Sequence, residues 1–307
     1  MMKFKHLALI SMLILSLFLA ACGGGDDDAK SDQSNDAEKT EQTAEEDKTE
    51  GEKTLVAGAP LQDGTYSLKE VELDDHGWRV EMTITVKDGK IVESNFDYVN
   101  ADGQLKSADE GYQQAMADKV GVGPADFIPQ LNEALVETQN PVDVEVVTGA
   151  THSWEKFRAY AQMLVQAAQK GDTTTIEINP SAPLHDGEYS LKELNPDAHG
   201  WSTFINMTVE GGKITAVDWN YVNGDGTLKS EDEGYQQAMS EKMGVGPKEY
   251  IPQLANSLIE KQNADEVEVV TGATSSSYNF KMYAVQLIHA AQKGDTTPIE
   301  VDNLVFE

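Results

Sequence analysis

The segment Glu145-Val-Val-Thr-Gly-Ala-Thr-His-Ser153 returns later in the chain as Glu268-Val-Val-Thr-Gly-Ala-Thr-Ser-Ser276. The two copies are 268 − 145 = 123 residues apart, and Gly111-Tyr-Gln-Gln-Ala-Met116 returns at the same offset as Gly234-Tyr-Gln-Gln-Ala-Met239. A period this long indicates tandem globular domains, because solenoid repeats are roughly 20 to 50 residues long. The sequence therefore predicts one domain that is used twice.

Each Thr-Gly-Ala-Thr turn stands directly before a long pattern of helical spacing. The two turns are Thr148-Gly149-Ala150-Thr151 and Thr271-Gly272-Ala273-Thr274. A Gly-Ala pair gives an uncrowded turn, and the helix start that follows offers free backbone N–H groups and a positive dipole end to an anion. A phosphate fits this arrangement, and a threonine hydroxyl lies where the phosphate could be esterified.

These residues resemble the flavinylation motif of the FMN-binding domain family, which includes flavin subunits of sodium-pumping and Rnf-type respiratory complexes. In that family the last threonine of the motif carries FMN through a phosphoester bond made by an FMN transferase. The resemblance implies covalent FMN on Thr151 and Thr274. The family usually has Asp three residues before the first hydroxyl of the motif, where this chain has Glu145 and Glu268.

Other residues of the motif are expected to contact the cofactor, and the aromatic residues have two possible roles. The expected phosphate-binding residues are Thr148, Gly149, Ala150, Thr271, Gly272 and Ala273. Ser153 and Ser276 are candidates to position the phosphate or to cap the helix. Trp78, Trp201, Tyr112 and Tyr235 would either flank the flavin ring or pack in the core, and the sequence does not choose between these roles.

The N-terminal residues read as an export signal. Lys3 and Lys5 precede an apolar run at 7–21 that is too short for a confident membrane span. The run ends in Leu19-Ala-Ala-Cys22, which resembles a bacterial lipobox. We expect a lipoprotein signal peptide at 1–21 and a diacylated Cys22, since two acyl chains anchor a protein stably. An ordinary secretory signal with an incidental cysteine is the alternative.

Composition limits the redox chemistry and describes the segment after the signal. Cys22 is the only cysteine, so a lipidated chain has no thiol for a disulfide, an iron–sulfur cluster or a c-type haem.

Residues 22–54 are acidic and poor in large apolar side chains, which predicts a disordered linker. Its 54 − 22 = 32 residues would reach on the order of 100 Å when extended.

The formal net charge of −30 argues against binding nucleic acid or an anionic membrane surface. Its simplest role is solubility of a secreted protein, and an acidic docking face for a partner is the alternative.

The patterns within one copy predict an α+β domain. Strands are expected at 79–86 and 90–96, joined by the hairpin signal Lys87-Asp-Gly89, and helices at 108–120 and 124–138. A strand-like segment at 142–147 then leads into the turn and a long amphipathic helix, and short strands near 174–178 and 298–301 close the two units. The predicted domains are 55–179 and 180–307.

Two further candidates have simple structural interpretations. Asn100-Ala-Asp102-Gly103 and its copy at 223–226 are similar to part of a calcium loop, but Tyr98 and Tyr221 stand where the leading acid belongs. We interpret them as Asx-rich turns. His76 and His199 are single histidines before Gly-Trp, for which a structural role is favoured over a metal or proton role. No metal site is predicted.

The whole region after the linker resembles paired FMN-binding lipoproteins of Gram-positive bacteria. The resemblance implies a lipid-anchored carrier on the outer face of the cell membrane, which takes electrons from a quinone pool or NADH dehydrogenase system. Extracellular acceptors such as ferric iron would receive them. The chain is therefore expected to be an electron carrier more than an enzyme. A cofactor-free binding lipoprotein and a terminal extracellular reductase are the alternatives.

Overall fold

The computed structural model describes residues 54–306, and these form a mixed α+β structure in which one arrangement occurs twice. The predicted signal peptide, Cys22 and the linker lie outside the described residues.

The first repeat places three helices beside a four-stranded sheet. Its elements in chain order are β1 (Leu55–Ala57), β2 (Gly64–Glu70), β3 (Arg79–Lys87), β4 (Lys90–Val99), α1 (Glu110–Val120), α2 (Pro124–Thr138), α3 (Thr151–Lys170) and β5 (Ile176–Ile178). The sheet order is β4-β3-β2-β5, with β5 parallel to β2 and the other pairs antiparallel.

The second repeat has the same order of elements, followed by one short C-terminal strand. Its elements are β6 (Gly187–Glu193), β7 (Trp201–Glu210), β8 (Lys213–Asn223), α4 (Glu233–Met243), α5 (Pro247–Lys261), α6 (Thr274–Lys293), β9 (Ile299–Val301) and β10 (Val305–Phe306). Strand β10 pairs with β1, which joins the two ends of the described region.

Alternation along the strands explains why helices cover one face of each sheet. In β3 every second residue, from Val80 to Val86, is almost completely buried, and the residues between them are partly exposed. Side chains of a strand alternate between the two faces, so one face of the sheet packs on the core and the other meets solvent. Helix α3 covers the buried face through Phe157, Ala161 and Leu164, as its helical spacing predicts.

The prediction of a strand at 142–147 is wrong. Residues Pro141–Asp143 form a 3₁₀ turn in which the Asn140 side chain accepts the Val142 N–H at 3.3 Å, and the residues that follow are extended without a strand partner. Side chains of α3 donate hydrogen bonds to the free carbonyls instead: Trp154 Nε1 donates to Val144 O at 2.8 Å. The β-branched composition fits an extended backbone, but no sheet edge within the described residues pairs with it.

Helices α3 and α6 pack against each other and join the repeats. Trp154 meets Tyr278 near the starts of the two helices, and Gln166 Nε2 donates to Gln286 Oε1 three turns further along α3. The contacts therefore follow the same order along both helices. The N-terminal ends of α3 and α6, which carry the two Thr-Gly-Ala-Thr turns, lie on the same side of the protein.

A buried ion pair crosses this contact. Lys281 Nζ lies 2.9 Å from Glu155 Oε2, with side chains 7% and 8% exposed, and also donates to Asp265 O. We expect Glu155→Gln to lower the free energy of unfolding by about 3 kcal/mol, because it leaves the Lys281 charge buried without a counter-ion. Chemical denaturation measures this change.

The exposed salt bridge between Lys69 and Glu177 provides the control. Glu177→Gln should change the stability by less than about 1 kcal/mol. Equal effects of the two substitutions would contradict a stabilising role for the ion pair between α3 and α6.

Candidate functional site

Each Thr-Gly-Ala-Thr turn is held in a conformation that only glycine accommodates well. Gly149 has φ +88°, and the turn closes with a 2.9 Å hydrogen bond from Ala150 N–H to Val147 O. A Cβ at Gly149 would lie 2.8 Å from Val122 Cγ1 and 2.9 Å from Val120 O. A side chain is therefore excluded both by backbone strain and by the end of α1.

The second repeat has the same constraint at Gly272, where φ is +85°. A Cβ at this position would lie 2.6 Å from Met243 O and 2.9 Å from Val245 Cγ1. The glycine of the repeated motif is therefore required by close packing as well as by the backbone conformation.

The helix starts that follow these turns have no side-chain cap. The N-cap residues are Ala150 and Ala273, and neither helix has a capping hydrogen bond from a side chain at that position. Ser, Thr, Asp or Asn normally fills this position and satisfies one of the free N–H groups of the first turn. The first-turn N–H groups and the positive end of the helix dipole are thus left for another acceptor, such as a phosphate.

The threonines of the predicted attachment are the first residues of the two long helices. Thr151 begins α3 and is half-buried, and Thr274 begins α6 and is exposed. Thr148 and Thr271 lie at the exposed corner of each turn. The hydroxyls of the first helical turn are therefore open to modification.

Ser153 and Ser276 are connected to buried tyrosines. Tyr98 OH donates to Ser153 Oγ at 2.9 Å, and burial raises the pKa of Tyr98 to about 12, so the phenol stays protonated as a donor. In the second repeat the hydroxyls of Tyr221 and Tyr250 both hydrogen-bond Ser276, while burial raises their pKa values. The serine of each first turn is therefore oriented from beneath by a phenol.

An aromatic cage around a lysine lies next to each of these tyrosines. Lys106 Nζ is 4.1 Å from the ring centroid of Tyr112, 4.4 Å from that of Tyr98 and 5.5 Å from that of Trp78. Its ammonium is stabilised by the faces of these rings. The sequence left two roles open for Trp78 and Tyr112, which were flanking the flavin and packing in the core. In the structure both rings form walls of this cage, and its third ring, that of Tyr98, contacts Ser153.

The second repeat builds the same cage around Lys229. Its Nζ lies 4.3 Å from the Tyr221 ring centroid, 4.5 Å from that of Tyr235 and 5.3 Å from that of Trp201. Burial lowers the pKa of Lys229, because the charged ammonium is removed from water. Neither lysine was predicted from the sequence, although the repetition of Lys at the offset of 123 was the available signal.

A cleft of about 450 Å³ opens beside the cage of the first repeat. Trp78 and Tyr112 form part of its wall, together with His76, Asn100 and Asp109.

The loop residues with a partial calcium pattern have structural roles. The Asn100 side chain accepts the N–H groups of Asp102 and Gln104 at 3.0 and 2.9 Å, which is an Asx turn. Asp109 is the N-cap of α1 and accepts the Tyr112 N–H at 2.8 Å. Within residues 54–306 no group of three or more His, Cys, Asp or Glu side chains is arranged to hold a metal ion.

A buried carboxylate network lies below the first site and differs in the second. Glu70 Oε1 contacts Lys156 Nζ at 2.9 Å and Tyr160 OH at 2.6 Å. Glu193 occupies the equivalent position and accepts from Tyr283 OH at 2.5 Å, but Asn279 replaces the lysine. Burial raises the pKa of Glu193, and the two sites therefore have different electrostatic surroundings.

Comparison with curated proteins finds a relative in Treponema pallidum (strain Nichols), the 15 kDa lipoprotein. The two are 36% identical over 116 residues, which is 38% of this chain and 82% of the relative. The chain belongs to the family of this lipoprotein. The matched length is slightly less than the repeat period of 123 residues.

Two solved structures are also similar in sequence. A crystal structure of a Clostridium perfringens protein is 41% identical, covers 39% of this chain and 98% of its own, and has a TM-score of 0.38. A solution structure of a Clostridium thermocellum protein is 32% identical, covers 35% and 92%, and has a TM-score of 0.25. A scan against models of protein families gave no match. None of the helices in the described part of the chain is long and apolar enough to cross a membrane.

The close approach at the turn gives a test of the site geometry. We expect Gly149→Ala to lower the free energy of unfolding by about 2 to 3 kcal/mol, because the new methyl group meets both a positive φ and the Val120 carbonyl. Gly121→Ala is the matched control, since Gly121 has φ +85° but no described atom lies within 4 Å of the position that a Cβ would take. It should cost only about 1 kcal/mol in the same denaturation experiment.

Proposed function

We propose that this family member is an exported flavoprotein that carries one FMN in each repeat, bound through a phosphoester to Thr151 and Thr274. The observation that carries the proposal is the uncapped helix start behind a glycine turn, found twice with a threonine hydroxyl at the first helical residue. Free first-turn N–H groups suit the single negative charge of a phosphodiester, so the residues present fit the group.

The chain's own residues would contribute binding and orientation. The N–H groups at the start of α3 would hold the phosphate oxygens, and Ser153, fixed by Tyr98, would donate its hydroxyl to them. Trp78 and Tyr112 offer an aromatic wall for the ring, beside the buried Lys106 charge. The corresponding residues of the second repeat would act in the same way.

Attachment would be a phosphoryl transfer from a flavin dinucleotide supplied by the transferase. The bond from Thr Oγ1 to the flavin phosphorus would form as the phosphoanhydride bond of the dinucleotide breaks, a nucleoside monophosphate would leave, and the hydroxyl proton would pass to solvent. The bound flavin supplies reversible redox chemistry. Covalent attachment suits an exported protein, because a cofactor held only with micromolar affinity, about 8 kcal/mol, is diluted away outside the cell.

Electron transfer is the function that this arrangement supports best. The two turns lie on the same side of the protein, at the starts of helices that contact each other through Trp154 and Tyr278. We propose that electrons enter from a membrane quinone or NADH dehydrogenase system and leave to extracellular acceptors such as ferric iron. The different carboxylate networks under the two sites would give the two flavins different potentials.

Flavin content is the first test. The protein is coexpressed with an FMN transferase, denatured, and analysed by intact mass and visible spectrum. We expect two FMN adducts on the unaltered chain, one on Thr151→Ala, one on Thr274→Ala and none on the double variant, because each hydroxyl is the attachment atom.

Thr174→Ala and Thr297→Ala are the matched controls, since they remove an exposed threonine hydroxyl outside the motif in each repeat, and both adducts should remain. Two adducts on the double variant Thr151→Ala/Thr274→Ala would overturn the assignment. An unmodified, colourless chain, under conditions that flavinylate a control protein, would favour a cofactor-free binding lipoprotein.

The proposed anchor has its own test. We propose that Cys22 carries the lipid, as the lipobox-like sequence and the lipoprotein relative support. Cys22→Ser should move the protein from the membrane fraction to the medium, because a protein without the diacylated sulfur has no acyl chains to insert. Fractionation followed by immunoblotting measures this, and unchanged membrane association would refute the anchor.

A further inference from the structure

Lys106 and Lys229, the lysines of the two aromatic cages, are buried cations without a polar partner. Their side chains are 8% and 5% exposed, and neither ammonium forms a hydrogen bond or an ion pair with the described residues. The other buried lysine and arginine side chains of the described region do have polar partners. Arg158 Nε donates to Pro141 O, and Lys281 pairs with Glu155.

A buried ammonium with three free N–H donors is costly, and its occurrence in both repeats indicates that an opposing charge is missing. Aromatic faces offset only part of the loss of hydration. Each ammonium nitrogen keeps some accessible surface, because neither is among the fully enclosed unpaired atoms of the described region. A negative group next to the cage would therefore be attracted by this charge.

The carboxylates near Lys229 do not supply this charge. Asp197 and Glu193 act on Lys229 from a distance, and neither forms an ion pair with it. Asp197 Oδ1 accepts two backbone N–H groups of its own turn at 2.8 and 2.9 Å, and Glu193 accepts from Tyr283 OH. Burial lowers the pKa of Lys229 although both carboxylates raise it, so the ammonium is not fully balanced.

The carboxylates around Lys106 also have donors of their own. Asp74 accepts two backbone N–H groups of its turn at 2.9 and 2.8 Å. Glu70 lies 2.9 Å from Lys156 Nζ. Asp97 accepts two hydrogen bonds from the residue that follows the cage lysine. The unbalanced cation is therefore common to both repeats.

The Lys106 cage lies beside the proposed attachment site. Its Tyr98 donates to Ser153 Oγ at 2.9 Å, in the first turn of α3. Its Trp78 and Tyr112 form part of the wall of the cleft described above. A flavin ring that is linked to the first residue of α3 and rests in this cleft would have the ammonium behind its aromatic wall.

The flavin ring carries a negative charge only after it is reduced. The donor supplies two electrons and solvent supplies one proton, so the neutral oxidised ring becomes a monoanion. A cation near the ring attracts the reduced form and has no net charge to attract in the oxidised form. It therefore favours reduction, and a charge near the ring nitrogens is one of the ways in which a protein sets a flavin potential.

We propose that Lys106 and Lys229 are the counter-charges of the reduced flavin ring in their own repeats and raise the potential of that flavin. This inference rests on the proposed attachment of FMN to Thr151 and Thr274. The lysines act through the aromatic wall and form no bond to the ring. Salt screens a buried charge less than an exposed one, so the effect persists across the wall.

Chains with a single flavin isolate the effect of each lysine. Thr274→Ala leaves the flavin on Thr151, and in that chain Lys106→Met should make reduction about tenfold less favourable, which lowers the midpoint potential of this two-electron couple by about 30 mV. Lys106→Gln should lower it to a similar extent, whereas Lys106→Arg keeps the charge and should restore most of the potential. Spectroelectrochemical titration measures the shift.

Lys229→Met in the same Thr274→Ala chain is the matched control. It removes the corresponding cage lysine from the repeat that carries no flavin, so it should leave the potential unchanged. In the Thr151→Ala chain the two substitutions exchange roles, and Lys229→Met should give the shift.

Intact mass, measured before each titration, separates the two assignments. An unaltered chain without flavin overturns the proposed function and this inference together. A flavinylated chain whose potential is unchanged by both Lys106→Met and Lys106→Gln overturns this inference alone. Equal shifts from Lys106→Met and Lys229→Met in one single-flavin chain also refute it, because a local charge acts only on its own repeat. Loss of the adduct from Lys106→Met would place the charge at the phosphate and refute its assignment to the ring.

Discussion

The structure depends on the point at which α3 and α6 begin. Gly149 and Gly272 adopt a positive φ and press against the last carbonyl of α1 and of α4, respectively, where no Cβ fits. This contact fixes the first residue of each long helix. Every later position of α3 follows from that start at 3.6 residues per turn: Thr151 lies at the turn, Ser153 meets Tyr98, and Phe157 enters the core.

The same two helices carry the contact between the repeats. Glu155 and Lys281 form a buried ion pair across them, and Trp154 packs against Tyr278. Residues one turn from each predicted attachment site therefore belong to the interface. This arrangement joins the geometry of the two sites to each other, because a change in the packing of α3 on α6 displaces both helix starts.

Duplication has left the repeats similar in fold and different in chemistry. Glu70 has Lys156 as a partner, whereas the second repeat has Asn279 in place of that lysine. One phenol reaches Ser153, and two reach Ser276. The two buried side-chain atoms of the described region that lack a hydrogen-bond partner are also both in the second repeat, at Gln286 and His289. Each difference arises at a position where the fold tolerates either residue type, so the second copy is free to acquire a separate role.

The sequence by itself determined the repeat, the α+β class and most elements, because each depends on local periodicity or on a short signal. The hairpin at 87–90, the proline that opens α2 and the glycine that ends α3 were readable in this way. Tertiary structure alone decided that 142–147 pairs with no strand of the described region, that a lysine enters the Trp78 cage, and that α3 packs against α6. These features depend on residues far apart in the chain, and the free energy of such contacts does not appear in any local pattern.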